Sequence, residues 1–294
     1  MRVIFFSRSL EMGGAERQLV YLANSLVERG HDIGVISMYK GGRFKEDDLS
    51  SNITFWSLNK KGRWHLIEPL LKFVRIIRTF NPDIVHGYGT VPNLLIVCLK
   101  RILQKSQCVW GVRSSYLDLD DYDWSARVLA CFEGPLSRFA DLIIVNSSAG
   151  FMYAEKRGFC VKMLRLVENG VDLATFRPDL SHRKKIRSIL GLEDGVILVG
   201  FVGRPDPVKD HRNFVESVAI AISEVSVPIR AISIGCDPST EIRDLKWFVE
   251  NQDIAEYFLW EPAKKNIAEW LNGIDILVSS SYGEGFSNVI TEAM

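Results

Sequence analysis

Short runs rich in Val, Ile and Phe alternate along this chain with longer segments of helical period, and they do so in two successive series. Strands covered on both faces read as continuous apolar runs, so this alternation implies βαβ units wound around buried parallel sheets. The first series has its runs at Val3–Phe6, Ile33–Met38, Ile53–Trp56, Ile84–His86, Cys108–Val112, Leu142–Val145 and Met163–Val167. The second has them at Val196–Val202, Ile229–Ile234, Tyr257–Trp260 and Ile274–Val278. Residues 169–192 between the series are polar and are broken by Gly170, Pro178 and Gly191, which predicts a linker. The expected organisation is an α/β chain with one doubly wound domain over residues 1–170, a linker over 171–195 and a second such domain over 196–294.

A chain of 294 residues that is 47% hydrophobic and 24% charged holds enough apolar material for two cores. Lys plus Arg and Asp plus Glu each total 36, so no overall charge draws it to nucleic acid, and no nucleic-acid partner is expected. Cys98, Cys108, Cys131, Cys160 and Cys236 are widely spaced and lack metal-ligand spacing, which suggests reduced thiols in a cytoplasmic setting. The apolar run after Met1 and Arg2 is too short for a signal peptide, and no stretch reaches the roughly 18 residues of a membrane span. Residues 286–294 read as a helix that has begun without a following strand, so the second domain is expected to be incomplete and the chain a fragment.

Chemistry concentrates in three places. Gly13 and Gly14 follow the first strand and open a helix, a turn that lets backbone N–H groups approach a phosphate; a tight βα turn alone has the same sequence. No GxGxxG is present, nor an acidic residue suited to a ribose at the end of the second strand, which disfavours a nicotinamide enzyme. Arg204 and Lys209 follow the first strand of the second series, where two cations suit a diphosphate or form an ordinary solvated loop. After the last run, Glu284 sits in a glycine-flanked turn, a helix starts near Ser287, and Glu292 falls in its early turns. Carboxylates there accept hydrogen bonds from sugar hydroxyls, and the N–H groups of Phe286, Ser287, Asn288 and Val289 face an anion or hydroxyl; helix-dipole partners would be spaced alike.

Two further segments carry charge. Asp118–Asp123 contains a DxD, which elsewhere holds a divalent metal to a diphosphate, but which reads equally as a polar loop before the helical segment Trp124–Phe139. Lys60, Lys61, Arg63 and Trp64 lead into a helical segment with Lys72, Arg75 and Arg78, a basic amphipathic face that suits anionic lipid or solvent.

Taken together, Met12-Gly13-Gly14-Ala15-Glu16, Pro82-Asp83-Ile84-Val85-His86, Asn146-Ser147-Ser148, Glu168–Asp172 with Phe176, Gly203-Arg204 with Lys209, and Glu284-Gly285-Phe286 with Glu292-Ala293-Met294 resemble the retaining glycosyltransferases of family 4, in family order over nearly the whole chain. That resemblance implies the GT-B fold, two Rossmann-like domains facing a cleft, and transfer of a sugar from a nucleoside-diphosphate sugar to a glycan or lipid-linked acceptor, commonly in surface-polysaccharide assembly. It implies that Arg204 and Lys209 hold the donor diphosphate, Glu284 the transferred sugar and Glu292 the ribose, and that Gly14 meets the phosphate on closure. It implies front-face attack with no cofactor and no metal. His86, Tyr88 and Arg113 would face the acceptor, although many members have a second histidine where Tyr88 stands, and a threonine or histidine where Val112-Arg113-Ser114-Ser115 stands. The expected localisation is cytoplasmic, with a peripheral position on the cytoplasmic face of an anionic inner membrane as the alternative. A non-catalytic nucleotide-sugar-binding remnant and a GT-B epimerase or phosphorylase are the competing readings.

Overall fold

The computed structural model describes residues 1–11, 13–42, 48–62, 64–103, 105–113 and 124–294. Met12, Arg63, Ser114, Ser115 and the Asp118–Asp123 acidic run lie outside the described residues. The chain forms two compact units, Met1–Gly170 and Val171–Met294.

Unit 1 runs β1 (Arg2–Ser7), α1 (Gly14–Glu28), β2 (Asp32–Ser37), β3 (Thr54–Ser57), α2 (Ile67–Phe80), β4 (Ile84–Tyr88), α3 (Thr90–Cys98), β5 (Gln107–Val112), α4 (Trp124–Ser137), β6 (Leu142–Val145), α5 (Ser148–Lys156) and β7 (Leu164–Leu166). Its strands are parallel, in the order β3-β2-β1-β4-β5-β6-β7. Successive strand residues point to opposite faces, and both faces of β1 are apolar: Ile4 and Phe6 enter one core, Val3 and Phe5 another. The sheet therefore needs cover on both sides. The chain moves one way from β1 to β3 and the other way from β4 to β7, and right-handed crossovers then place α1 opposite the later helices. Leu19, Val20 and Ala23 of α1 accordingly pack with Val3 and Phe5. Phe73, Ile76 and Ile77 of α2, Leu94 and Val97 of α3, and Ala154 of α5 pack with Ile4 and Phe6.

Unit 2 holds α6 (Leu180–Ile189), β8 (Ile197–Val202), α7 (His211–Glu224), β9 (Ile229–Ile234), α8 (Thr240–Asn251), β10 (Phe258–Glu261), α9 (Ile267–Gly273), β11 (Ile276–Leu277) and α10 (Asn288–Ala293). Its sheet is parallel, in the order β10-β9-β8-β11.

The expected linker over 171–195 is corrected by α6. Asp179 caps this helix, accepting from Ser181 N–H at 2.8 Å and His182 N–H at 3.2 Å. Ile186, 1% exposed, packs where Gly273 of α9 leaves room, since a Cβ there would lie 2.5 Å from Ile186 Cγ2. Arg183 and Arg187 both reach Asp275, at 2.5 and 2.9 Å, and Lys185 reaches Glu269 at 2.6 Å. A helix that buries one isoleucine and binds through ion pairs is polar in composition, so the segment reads as a loop.

Among the described residues no helix is long and apolar enough to cross a membrane. All five cysteines are free.

Because α6 belongs to the core of unit 2, Ile186→Ala should destabilise that unit by about 2–5 kcal/mol. Denaturant unfolding followed by a probe in unit 2 measures this, and an unchanged midpoint would mean that the helix is peripheral.

Candidate functional site

Ligands of open parallel sheets bind beyond the carboxyl ends of the strands, where the strand order reverses. In unit 2 the chain passes from β8 to β9 to β10 and then returns to the other side of β8 as β11, so the reversal lies between β8 and β11. The loops leaving these two strands are therefore neighbours, although their residues are far apart in sequence. Val278 N–H donates to Gly200 O at 2.8 Å and Tyr282 N–H to Val208 O at 3.0 Å, so the loops stay joined past the strands' ends.

This pairing brings two expected site residues into contact. Lys209 Nζ lies 2.5 Å from Glu284 Oε1, with side chains 26% and 21% exposed. Ser281 Oγ donates to the same Oε1 at 2.8 Å, and the Ser280 hydroxyl donates to the carbonyls of Asp210 at 2.7 Å and Lys209 at 3.1 Å. Ser280 and Ser281 carry no charge or periodicity that would mark them, so only the register of β11 against β8 reveals their part. Arg204 is exposed on the same β8 loop, with no hydrogen bond or ion pair among the described residues. Its loop is fixed from below by Gly203 N–H to Ile234 O at 2.9 Å. Gly235, at φ +111°, approaches the Gly203 carbonyl more closely than a side chain would permit.

A short 3-10 turn, Pro207–Lys209, carries Lys209 and ends at Asp210, whose backbone is left-handed at φ 46°. The Asp210 carboxylate accepts from Asn213 N–H at 3.3 Å and so caps α7. The next residue, His211, is buried against Phe201 with ring centroids 4.3 Å apart. Burial holds its pKa down at about 4, against a hydrogen bond to the Gly203 backbone that acts to raise it. Nothing in the sequence distinguishes this histidine from a surface one.

The remaining donor-side residues lie on α10 and the loop before it. Ser287 stands at its N-cap without a side-chain capping bond, and its buried Oγ has no hydrogen-bond partner among the described residues. Phe286, Asn288 and Val289 are half-buried. Glu292 is buried within this six-residue helix, at 7% exposure.

In unit 1 the order reverses between β1 and β4. Gly13 is the N-cap of α1 and Gly14 its first residue, and a Cβ on Gly13 would run into the Glu16 carboxylate. The ends of β4 and β5 bring His86, Tyr88 and Arg113 together: the Arg113 guanidinium donates to Tyr88 OH at 3.0 Å and Asn169 Oδ1 at 2.8 Å, and lies 4.8 Å from the Tyr88 ring centre. His86 lies between Phe5 and Tyr88 with its ring tilted against both, and its Nε2 is directed at Gly111, where a Cβ would lie only 3.1 Å away. Burial, then the Arg113 charge, holds the His86 pKa down at about 3, while burial raises that of Tyr88 against Arg113. The three residues form a braced core cluster, with His86 and Tyr88 each 5% exposed.

Among the described residues no group of three or more His, Cys, Asp or Glu is placed to hold a metal ion.

Two parallel-sheet units, each with its strand order reversing once, are the ingredients of the GT-B fold, and solved structures share that fold. Anabaena HepE in complex with UDP-glucose matches with a TM-score of 0.85 at 20% identity, covering 100% of this chain and 78% of that one. Sucrose-phosphate synthase from Thermosynechococcus elongatus matches with a TM-score of 0.81 at 18% identity, covering 100% and 79%. The sequence profile of Glycosyltransferase Family 4 matches residues 12–175, and that of the group 1 glycosyl transferases matches residues 196–294. The chain belongs to Glycosyltransferase Family 4. It is 26% identical over 233 residues to a GDP-mannose-dependent alpha-mannosyltransferase of Mycobacterium tuberculosis, covering 77% of this chain and 56% of that one. It is 28% identical over 192 residues to a D-inositol 3-phosphate glycosyltransferase of Streptomyces scabiei, covering 60% and 41%. The chain thus spans about half the length of these curated relatives.

The His86 imidazole carries a signed pH prediction. Its folded pKa of about 3 lies below the ordinary 6.5, so the unfolded chain takes up a proton that the folded chain refuses. This contribution to stability is complete above pH 6.5 and is lost as pH falls towards 3, amounting to about 2 kcal/mol at pH 5. Urea unfolding of unit 1 at pH 7 and pH 5 should show that loss, and His86→Leu should flatten it; equal slopes in both proteins would place the imidazole in water.

Proposed function

We propose that this chain belongs to a retaining glycosyltransferase that moves a sugar from a nucleoside-diphosphate sugar to a glycan or lipid-linked acceptor in surface-polysaccharide biosynthesis. The carrying observation is the juxtaposition of Lys209 and Glu284 where the strand order of unit 2 reverses. One relative depends on GDP-mannose and a structural neighbour binds UDP-glucose, both nucleoside-diphosphate sugars, which supports the reading.

In this reading Lys209, with Arg204 on the same loop, neutralises charge on the departing diphosphate. Stabilising a leaving group in this way acts where charge develops and calls for no strong protein base. Glu284 accepts hydrogen bonds from the transferred sugar's hydroxyls, and Glu292 those of the ribose. The backbone of Phe286–Val289 lies against the donor. Arg113 and Tyr88 orient the acceptor, with His86 behind them. The leaving oxygen takes the acceptor's proton on the same face, which retains configuration with no metal or cofactor.

Lys209→Ala should lower transfer about 10²- to 10³-fold, in the range of losing one preorganised charge-stabilising group. The assay supplies labelled nucleotide sugars and membrane lipid extract to the full-length protein. Unchanged turnover in the variant would refute this donor site. Donor isomerisation without acceptor would favour an epimerase, and binding without either reaction a remnant.

A membrane-bound acceptor fits the surface of α2. Trp64 is 82% exposed, Ile67 77% and Leu71 64%, beside exposed Lys61, Arg75 and Arg78. Lys72 is tied instead to Ser57 O at 2.5 Å, and Glu68 to His65 at 2.8 Å. Apolar side chains ringed by cations suit the interface of an anionic bilayer, on the cytoplasmic face where sugar nucleotides are made. Sedimentation with phosphatidylglycerol-containing vesicles should retain the wild-type chain. Ile67→Glu combined with Leu71→Glu should release it; equal retention would exclude this face.

A further inference from the structure

We infer that Glu284 makes the site select sugar-bearing nucleotides over the sugarless diphosphate that transfer leaves behind, because it holds Lys209 in an ion pair that an anionic ligand must share or open. The inference rests on the donor-site reading and adds a direction to it.

Glu284 receives Lys209 Nζ and Ser281 Oγ on one carboxylate oxygen, Oε1. Both partners are about three-quarters covered, so their attraction is screened less than that of a surface pair. The nearby acids are committed elsewhere: Asp206 accepts from Val208 N–H at 3.1 Å and Asp210 from Asn213 N–H at 3.3 Å. Glu284 is the carboxylate that pairs directly with Lys209 among the described residues. The loops are locked to each other by Ser280 and by the Tyr282 N–H, so Glu284 stays beside any group that Lys209 binds.

A diphosphate on Lys209 consequently meets a carboxylate. Pyrophosphate or a sugarless nucleoside diphosphate has nothing to give Glu284 and meets like-charge repulsion there. A donor carrying its sugar presents hydroxyls that hydrogen-bond to the carboxylate, which offsets the repulsion. Discrimination thus comes from a repulsive element directed at the leaving group as well as an attractive one directed at the sugar. After transfer the same carboxylate draws Lys209 back and favours release of the diphosphate.

Calorimetric titration of inorganic pyrophosphate, UDP, UDP-glucose, GDP and GDP-mannose into the wild-type chain, Glu284→Gln and Lys209→Ala tests this. Glu284→Gln should bind pyrophosphate and the sugarless nucleotides about three- to tenfold tighter, the span expected for removing one partly shielded charge interaction, and should bind the accepted sugar nucleotide more weakly. Glu284→Ala gives the same reading should the glutamine variant fail to fold. Ser281→Ala, which keeps the charge, should leave pyrophosphate affinity within about twofold of wild type. If Lys209→Ala weakens pyrophosphate binding while the Glu284 variants gain nothing, the inference falls and the donor site stands. If the wild type and Lys209→Ala treat every titrant alike, both fall.

Discussion

Two residue pairs of parallel sheet, Ile276 with Val199 and Leu277 with Gly200, hold β11 against β8, and the arrangement of unit 2 depends on them. The pairing is short but well anchored. Asp275, just before it, accepts from Leu198 N–H at 2.8 Å and receives Arg183 and Arg187 from α6. Burial acts to raise the Asp275 pKa, and these bonds outweigh it, so the group is held below its ordinary value. Gly200 contributes by having no side chain, since a Cβ there would overlap Ile274. One carboxylate thus ties α6, β8 and β11 together, and every contact between the Lys209 and Glu284 loops follows from where that junction sets the strands.

Much of this architecture is legible in the sequence because its strands are buried on both faces. Runs such as Val3–Phe6 and Ile229–Ile234 are continuous, and the cores lie on both sides of them. The helix of Gly14–Glu28 is equally plain, with glycine before it and Gly30 at φ 79° after it. The α6 segment is not legible, because polar side chains hold it and polar composition is also what a loop displays. Strand order is likewise hidden: nothing local in Ile274–Val278 says that it returns beside β8 and not beside β10.

The candidate site divides in the same way. Lys209, in the loop after β8, and Glu284, between two glycines after β11, stand out as charges, and they meet. The serines that hold them are chemically bland and emerge only from the geometry. His86 shows the opposite case, a residue conspicuous in sequence whose ring nitrogen is directed at Gly111 and whose burial keeps it neutral. Around α2 the sequence draws attention to the basic residues and Trp64, and the structure adds Ile67 and Leu71 as exposed apolar side chains.

Asp210 performs two tasks at one position. Its left-handed backbone turns the chain from the Lys209 turn into α7, while its carboxylate caps that helix. Glycine would adopt the turn without strain but leave the helix uncapped; alanine would serve neither purpose. Asparagine, which tolerates left-handed geometry and caps helices nearly as well, is the natural substitute. The position therefore tolerates a very narrow set of side chains for reasons unrelated to any ligand, and invariance there would be a poor guide to which neighbours touch substrate.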